Sequence, residues 1–182
     1  MADFIFSDAS FAPQLSIGVG ASLSISSESL AAYIADNSIQ AKKMLIEGIK
    51  IINFDGENIA RLEFLSAIYS LTAWKQEFQA KINGVNEAAE ISLVIDCKAI
   101  ENLLLRRERL EKVGFRSAKT KHLLANADLY RDFLQIYDET RPKIHWVKGH
   151  SAKTGQSSLQ EIFGLVDKEA RRVLRERVAG AK

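Results

Sequence analysis

The sequence predicts an α/β fold built on a mixed sheet, and three observations carry that expectation. The chain opens as strand, turn, strand: Phe4-Ile5-Phe6, a break at Pro13, then alternating apolar residues at Ile17, Val19, Leu23 and Ile25, the pattern of an antiparallel hairpin. A continuous apolar run, Ile91 to Ile95, lies between two stretches of helical spacing, which is the pattern of a parallel crossover with a central strand covered on both faces. Two of these runs, the first and the fourth, finish on an aspartate, Asp8 and Asp96. In sheets with parallel crossovers, ligands gather at the carboxyl ends of the strands.

The elements follow in order. The first strand is expected over about 3–8 and the second over 16–25, with one face buried. Residues 28–47 mix capping signals with broken periodicity and read as an inserted helical or irregular excursion, which offers a place for a protein partner to dock. Ile49 to Phe54 is a third strand, and Asp55-Gly56-Glu57-Asn58 a turn. Leu62, Leu65, Ile68, Leu71 and Trp74 recur at helical spacing over 59–78, with Glu63 near the start, where the helix dipole alone favours an acid. A polar loop is expected at 81–90. The Ile91 strand is followed by a short helix at 97–104, a basic stretch at 106–121 and an amphipathic helix at 128–137. A fifth strand is expected at 143–147, with Trp146 in the core, then a polar loop at 152–158. The last helix, about 159–178, carries Asp167 and ends in Arg171, Arg172, Arg175 and Arg177.

Composition limits the function classes. The chain has 182 residues, 47% hydrophobic and 26% charged, as expected of one globular domain spanning 1–182. A single cysteine excludes an internal disulfide and suits a reducing, cytoplasmic setting. No apolar run approaches the roughly 18 residues of a membrane span, and the N-terminus lacks the basic and apolar regions of a secretion signal, so no membrane partner is expected. Charge is divided unevenly. Residues 1–95 carry 6 basic and 11 acidic side chains, a net of −5, whereas residues 96–182 carry 19 and 12, a net of +7. The second half has the footprint of a surface that meets a polyanion, though solvated helix faces give the same asymmetry.

Four acids stand at suggestive places: Asp8 and Asp96 at strand ends, Glu63 early in a helix and Asp167 on the last helix. Clustered carboxylates repel one another, and hard divalent cations such as Mg²⁺ or Mn²⁺ relieve that repulsion. Two such ions about 4 Å apart can activate a water and stabilise the leaving oxygen of a phosphodiester.

The local contexts of these acids form an ordered set: Phe6-Ser7-Asp8-Ala9-Ser10, Arg61-Leu62-Glu63-Phe64, Val94-Ile95-Asp96-Cys97, Trp146-Val147-Lys148-Gly149-His150 and Val166-Asp167-Lys168-Glu169-Ala170. In this set the chain resembles the type 1 ribonuclease H family. The resemblance implies a five-stranded mixed sheet with helices on both faces, and metal-dependent cleavage of the RNA strand of RNA–DNA hybrids. It implies that Asp8, Glu63, Asp96 and Asp167 bind the metal, two Mg²⁺ (or Mn²⁺) ions, and that His150 assists proton transfer or product release. His122 and His145 read as ordinary surface histidines. The basic stretch falls where many such enzymes grip the hybrid, making Arg116, Lys119 and Lys121 the expected phosphate contacts, with Ser10 and Lys98 beside the acids. The chain departs from the family pattern at Ala9 (usually Gly), at Ile59-Ala60 (usually a polar pair that reads RNA 2′-hydroxyls), at Cys97 and Lys98, and at Phe163. The alternatives are a nucleic-acid-binding module and a nuclease of the same fold acting on another nucleic acid.

Overall fold

β1 (Ala2–Ala12) and β2 (Ile17–Ser26) form the expected hairpin, pairing antiparallel from Asp3↔Ser26 to Ala12↔Ile17. They belong to a computed structural model that describes residues 2–56, 58–82, 90–149 and 155–181. β3 (Lys50–Asp55) pairs antiparallel with β2. β4 (Glu90–Ile95) pairs parallel with β1 on its other side, and β5 (Lys143–Trp146) parallel with β4. The order is β3-β2-β1-β4-β5, a five-stranded mixed sheet.

Helices cover both faces. Alternate side chains of a strand point to opposite sides. Ile5, Leu93 and Ile95 pack with Phe64 and Leu71 of α3 (Ile59–Ile82), Ile100 of α4 (Lys98–Leu105), Leu110 of α5 (Arg107–Lys112) and Phe133 of α6 (Ala127–Thr140). Phe6, Val19 and Val94 pack on the other face with Tyr33 of α1 (Ser27–Ala35) and with Ile162, Val166 and Ala170 of α7 (Ser158–Gly180). Each large side chain fully buried in this way stabilises the fold by about 1.5–3 kcal/mol. Among the described residues no helix is long and apolar enough to cross a membrane.

Several elements differ from the expectation, each for a physical reason. β1 does not end on Asp8: its antiparallel pairing with β2 continues to Ala12, and only the parallel ladder with β4 stops, at Phe6↔Val94. β2 is buried on both faces over 18–23 rather than on one. Its even positions are small because α3 lies close: a Cβ on Gly20 would stand 2.7 Å from the Phe54 ring and 2.9 Å from Ser66 Oγ. The 28–47 excursion is ordered as α1 and α2 (Ile39–Glu47), whose first turns are capped by the Ser26 and Ser38 hydroxyls accepting from the Ser29 and Ala41 amides. α3 extends to Ile82 and Glu90 begins β4, so 81, 82 and 90 are not the loop expected there, and residues 83–89 lie outside the described residues. Ser158 opens α7 behind a reciprocal cap between Ser157 and Gln160.

Candidate active site

Asp8 and Asp96 stand level across the sheet. Each lies two residues beyond the Phe6–Val94 pair that closes the parallel ladder. Where that ladder opens, the carboxyl end of β4 frees Asp96, while Asp8 stays anchored through its pairing with Ala21. α3 brings Glu63 to the same place. Its docking is fixed one turn further on, where Ser66 Oγ donates to the Asp8 backbone oxygen at 2.9 Å and hydrogen-bonds Ser7 Oγ at 2.9 Å. One carboxylate oxygen from each of Asp8, Glu63 and Asp96 falls within 4.8 Å of the others. Asp167, from α7, lines the same cavity of about 480 Å³ together with Ser10, Phe11, Ile59 and Arg171, but stands outside the tight set of three.

Glu63 belongs to the second turn of α3, not the first, so the helix N-terminus is not what places it. Its surroundings oppose its charge. Burial, then the charges of Asp8, Asp96 and Asp167, push its carboxyl well above the usual range. Asp8 is pushed the same way by burial, then by Asp167 and Asp96, with Arg171 and the Ala9 amide opposing. Asp8 is 3% exposed, and among the described residues its Oδ2 is buried with no hydrogen-bond partner. A buried carboxylate oxygen with no partner is costly unless a cation reaches it. Three hard oxygen donors, one of them an orphan, fit a Mg²⁺ or Mn²⁺ ion.

The strand end after β4 is held from β5. The Val147 amide donates to the Ile95 oxygen at 2.8 Å, and Trp146 Nε1 donates to the Asp96 oxygen at 2.8 Å. Trp146 is therefore not a core residue as expected. It ends an edge strand and is 36% exposed, with Lys98 Nζ 4.4 Å from its ring centroid. Gly149 follows closely, and a Cβ there would stand 2.3 Å from Asp96 Oδ2. Cys97, next to Asp96 in the chain, has its thiol pushed up to about 11 by burial and then by Glu63. Phe163 is buried in the α7 core, which explains an aromatic residue at that position.

The structure thus brings Asp8, Glu63 and Asp96 together, with Asp167 and Ser10 in the same cavity. His150 lies outside the described residues. Lys98 is exposed beside Asp96. Arg116, Lys119 and Lys121 are exposed on the turn after α5 and do not line that cavity, and Arg116 Nη1 donates to the Lys121 oxygen at 3.0 Å. His145 is half-buried on β5 against Ser92, and burial lowers its imidazole below the usual range. Sequence reasoning missed Arg171, whose Nη2 lies 2.7 Å from Asp167 Oδ1. Its signal was the four-residue spacing from Asp167 on one helix face.

No family model and no curated protein matches the chain. Solved structures do. A foamy viral protease–reverse transcriptase in complex with dsDNA is 14% identical, with 94% of this chain and 91% of that chain covered and a TM-score of 0.60. The PFV RNase H domain is 13% identical over 94% of this chain and 92% of that one, TM-score 0.60. The N-terminal RNase H domain of a Mycobacterium tuberculosis protein is 12% identical over 100% and 99%, TM-score 0.60. The chain therefore has the ribonuclease H fold. On that fold it carries a cluster of three carboxylates where the β1–β4 ladder ends.

Proposed function

We propose that this protein is a metal-dependent endonuclease that hydrolyses the RNA strand of RNA–DNA hybrids. The observation that carries the proposal is the carboxylate set: oxygens of Asp8, Glu63 and Asp96 within 4.8 Å, with a buried, unpartnered Asp8 Oδ2 among them. Asp8, Glu63 and Asp96 would hold Mg²⁺ or Mn²⁺, with Asp167 as a further ligand. When bound, such ions supply an acidified water and neutralise charge on the reacting phosphate. The chain's own residues supply position. Ser66 fixes the backbone of Asp8, and Trp146 fixes that of Asp96. Gly149 leaves room for the Asp96 carboxylate. His150, which follows Gly149, takes the proton-transfer or product-release role that the resemblance implies. Ser10 and Lys98 meet the strand near the acids, and Arg116, Lys119 and Lys121 meet phosphates further along, through charge rather than sequence. The single cysteine supports a reducing, cytoplasmic setting.

One observation favours a second reading, cleavage or binding of another nucleic acid. Ile59 lines the carboxylate cavity and is 43% exposed, and Ala60 beside it is exposed. Neither side chain can hydrogen-bond a 2′-hydroxyl, the group that tells RNA from DNA. A substrate panel decides between the two readings. Hybrid, double-stranded RNA and double-stranded DNA, labelled on each strand, are incubated with the protein and Mg²⁺ or Mn²⁺. Cleavage confined to the RNA strand of the hybrid supports the first reading. Equal or faster cleavage of another duplex assigns the site to that substrate instead.

A further inference from the structure

Asp167 carries an ion pair within its own helix. Arg171, one turn later on α7, holds its carboxylate at 2.7 Å. Arg171 also lines the cavity that contains Asp8, Glu63 and Asp96, and a neighbouring cavity of about 370 Å³ shared with Lys148, Gly149 and Phe163. The guanidinium thus shares the cavity of the carboxylate set and is bound to the member outside the 4.8 Å group.

We propose that Arg171 is a positioning residue that holds Asp167 in reserve and thereby sets the affinity of the cluster for divalent cations. The inference rests on reading the cluster as a cation site. A permanently charged guanidinium beside the acids opposes an arriving cation, because like charges repel at this range. It also competes with that cation for Asp167: the carboxylate can serve as a metal ligand only by giving up its ion pair. In the cation-free protein the same guanidinium offsets part of the repulsion among the acids, so the site is tolerable without metal and binds it less tightly.

The test is a calorimetric titration of the full chain with Mn²⁺, with no nucleic acid present. Wild type should bind, and Asp8→Asn should lose most of that binding, which establishes the cation site independently of any cleavage. Arg171→Gln should bind Mn²⁺ roughly tenfold more tightly, while Arg171→Lys stays close to wild type. In an Asp167→Asn background the same Arg171→Gln change should gain no more than about threefold, because the competition for Asp167 has been removed. Unchanged or weaker binding by folded Arg171→Gln overturns the inference and leaves the cation site standing. An undiminished gain in the Asp167→Asn background overturns the competition for Asp167. No binding by wild type overturns both the cation reading and the inference. Should Arg171→Gln fail to fold, Asp167→Asn alone decides: a ligand already paired with Arg171 costs at most about threefold when removed, whereas an independent ligand costs about tenfold or more.

Discussion

The indole of Trp146 donates its N–H to the backbone oxygen of Asp96 at 2.8 Å, joining the last residue of the edge strand β5 to the first residue after β4. That bond fixes the peptide from which the Asp96 carboxylate projects. Trp146→Phe keeps an aromatic ring and removes the donor. The variant should lose about 1 kcal/mol of stability, the net worth of one hydrogen bond, while cation affinity falls several-fold through the loosened Asp96. Denaturant unfolding and Mn²⁺ titration measure the two effects. A variant with wild-type affinity would show that the bond does not position the acid.

Gly149 should tolerate no side chain. The Cβ of Gly149→Ala would stand 2.3 Å from Asp96 Oδ2, well inside van der Waals contact, so the carboxylate or the backbone must move. A displacement of about 1 Å in such a site typically costs on the order of 100-fold in rate. The expected signature is a loss of cleavage far larger than the loss of thermal stability. Equal losses would mean that the residue matters for folding alone.

The acids make a pH prediction whose sign is fixed by the direction of their shifts. Burial and neighbouring acids raise the carboxyls of Asp8 and Glu63 well above their usual range. The folded protein therefore holds protons that the unfolded chain has already released. Their contribution to the stability of the cation-free protein is fully present below the unfolded pKa and is lost as pH rises through the folded values. Asp8→Asn removes part of that dependence. Thermal unfolding in a chelator should show wild type losing stability relative to Asp8→Asn as pH rises from about 4, the usual carboxylate value, through the raised folded values. Added Mg²⁺ should narrow the gap. A gap that stays constant across that interval contradicts the assignment.

Much of this was legible in the chain, and the parts that were not have identifiable causes. Asp96 was readable because a continuous apolar run reports a central parallel strand and its end. Asp8 was found for a partly wrong reason: only the parallel ladder ends there, while β2 carries β1 on to Ala12, a pairing that local pattern does not encode. The helical spacing of Leu62 to Trp74 gave α3, but not that Glu63 belongs to its second turn. Trp146 read as core because tryptophan usually is buried. It is exposed because its strand lies at the sheet edge, which depends on strand order and not on local sequence. The two helices in 28–47 were obscured by short length and weak periodicity. Arg171 passed as one more cation in a basic helix end, although its spacing from Asp167 was in plain view.

The basic turn after α5 should act through charge alone. Arg116, Lys119 and Lys121 are exposed, whereas Arg107 in the same stretch is engaged by Asp138 at 2.5 Å and Glu111 at 2.8 Å. Replacing the three exposed cations with glutamine should weaken hybrid binding uniformly across sequences. It should also flatten the slope of log affinity against log salt by roughly 2 to 3, since each phosphate left without its cation lowers the slope by about 0.9. Fluorescence anisotropy at several KCl concentrations reads this. An unchanged slope would place the polyanion elsewhere on the surface.

The most direct test of the central claim compares wild type with Asp96→Asn on one hybrid, labelled on its RNA strand, in Mg²⁺ and in chelator. Wild type should cleave the RNA strand in Mg²⁺ only, and Asp96→Asn should cleave nothing. The variant should bind the hybrid as tightly as wild type or more so, because a negative charge beside the phosphate has been removed. Cleavage that persists in Asp96→Asn, or a folded wild type that cuts no strand in Mg²⁺ or Mn²⁺, would contradict it.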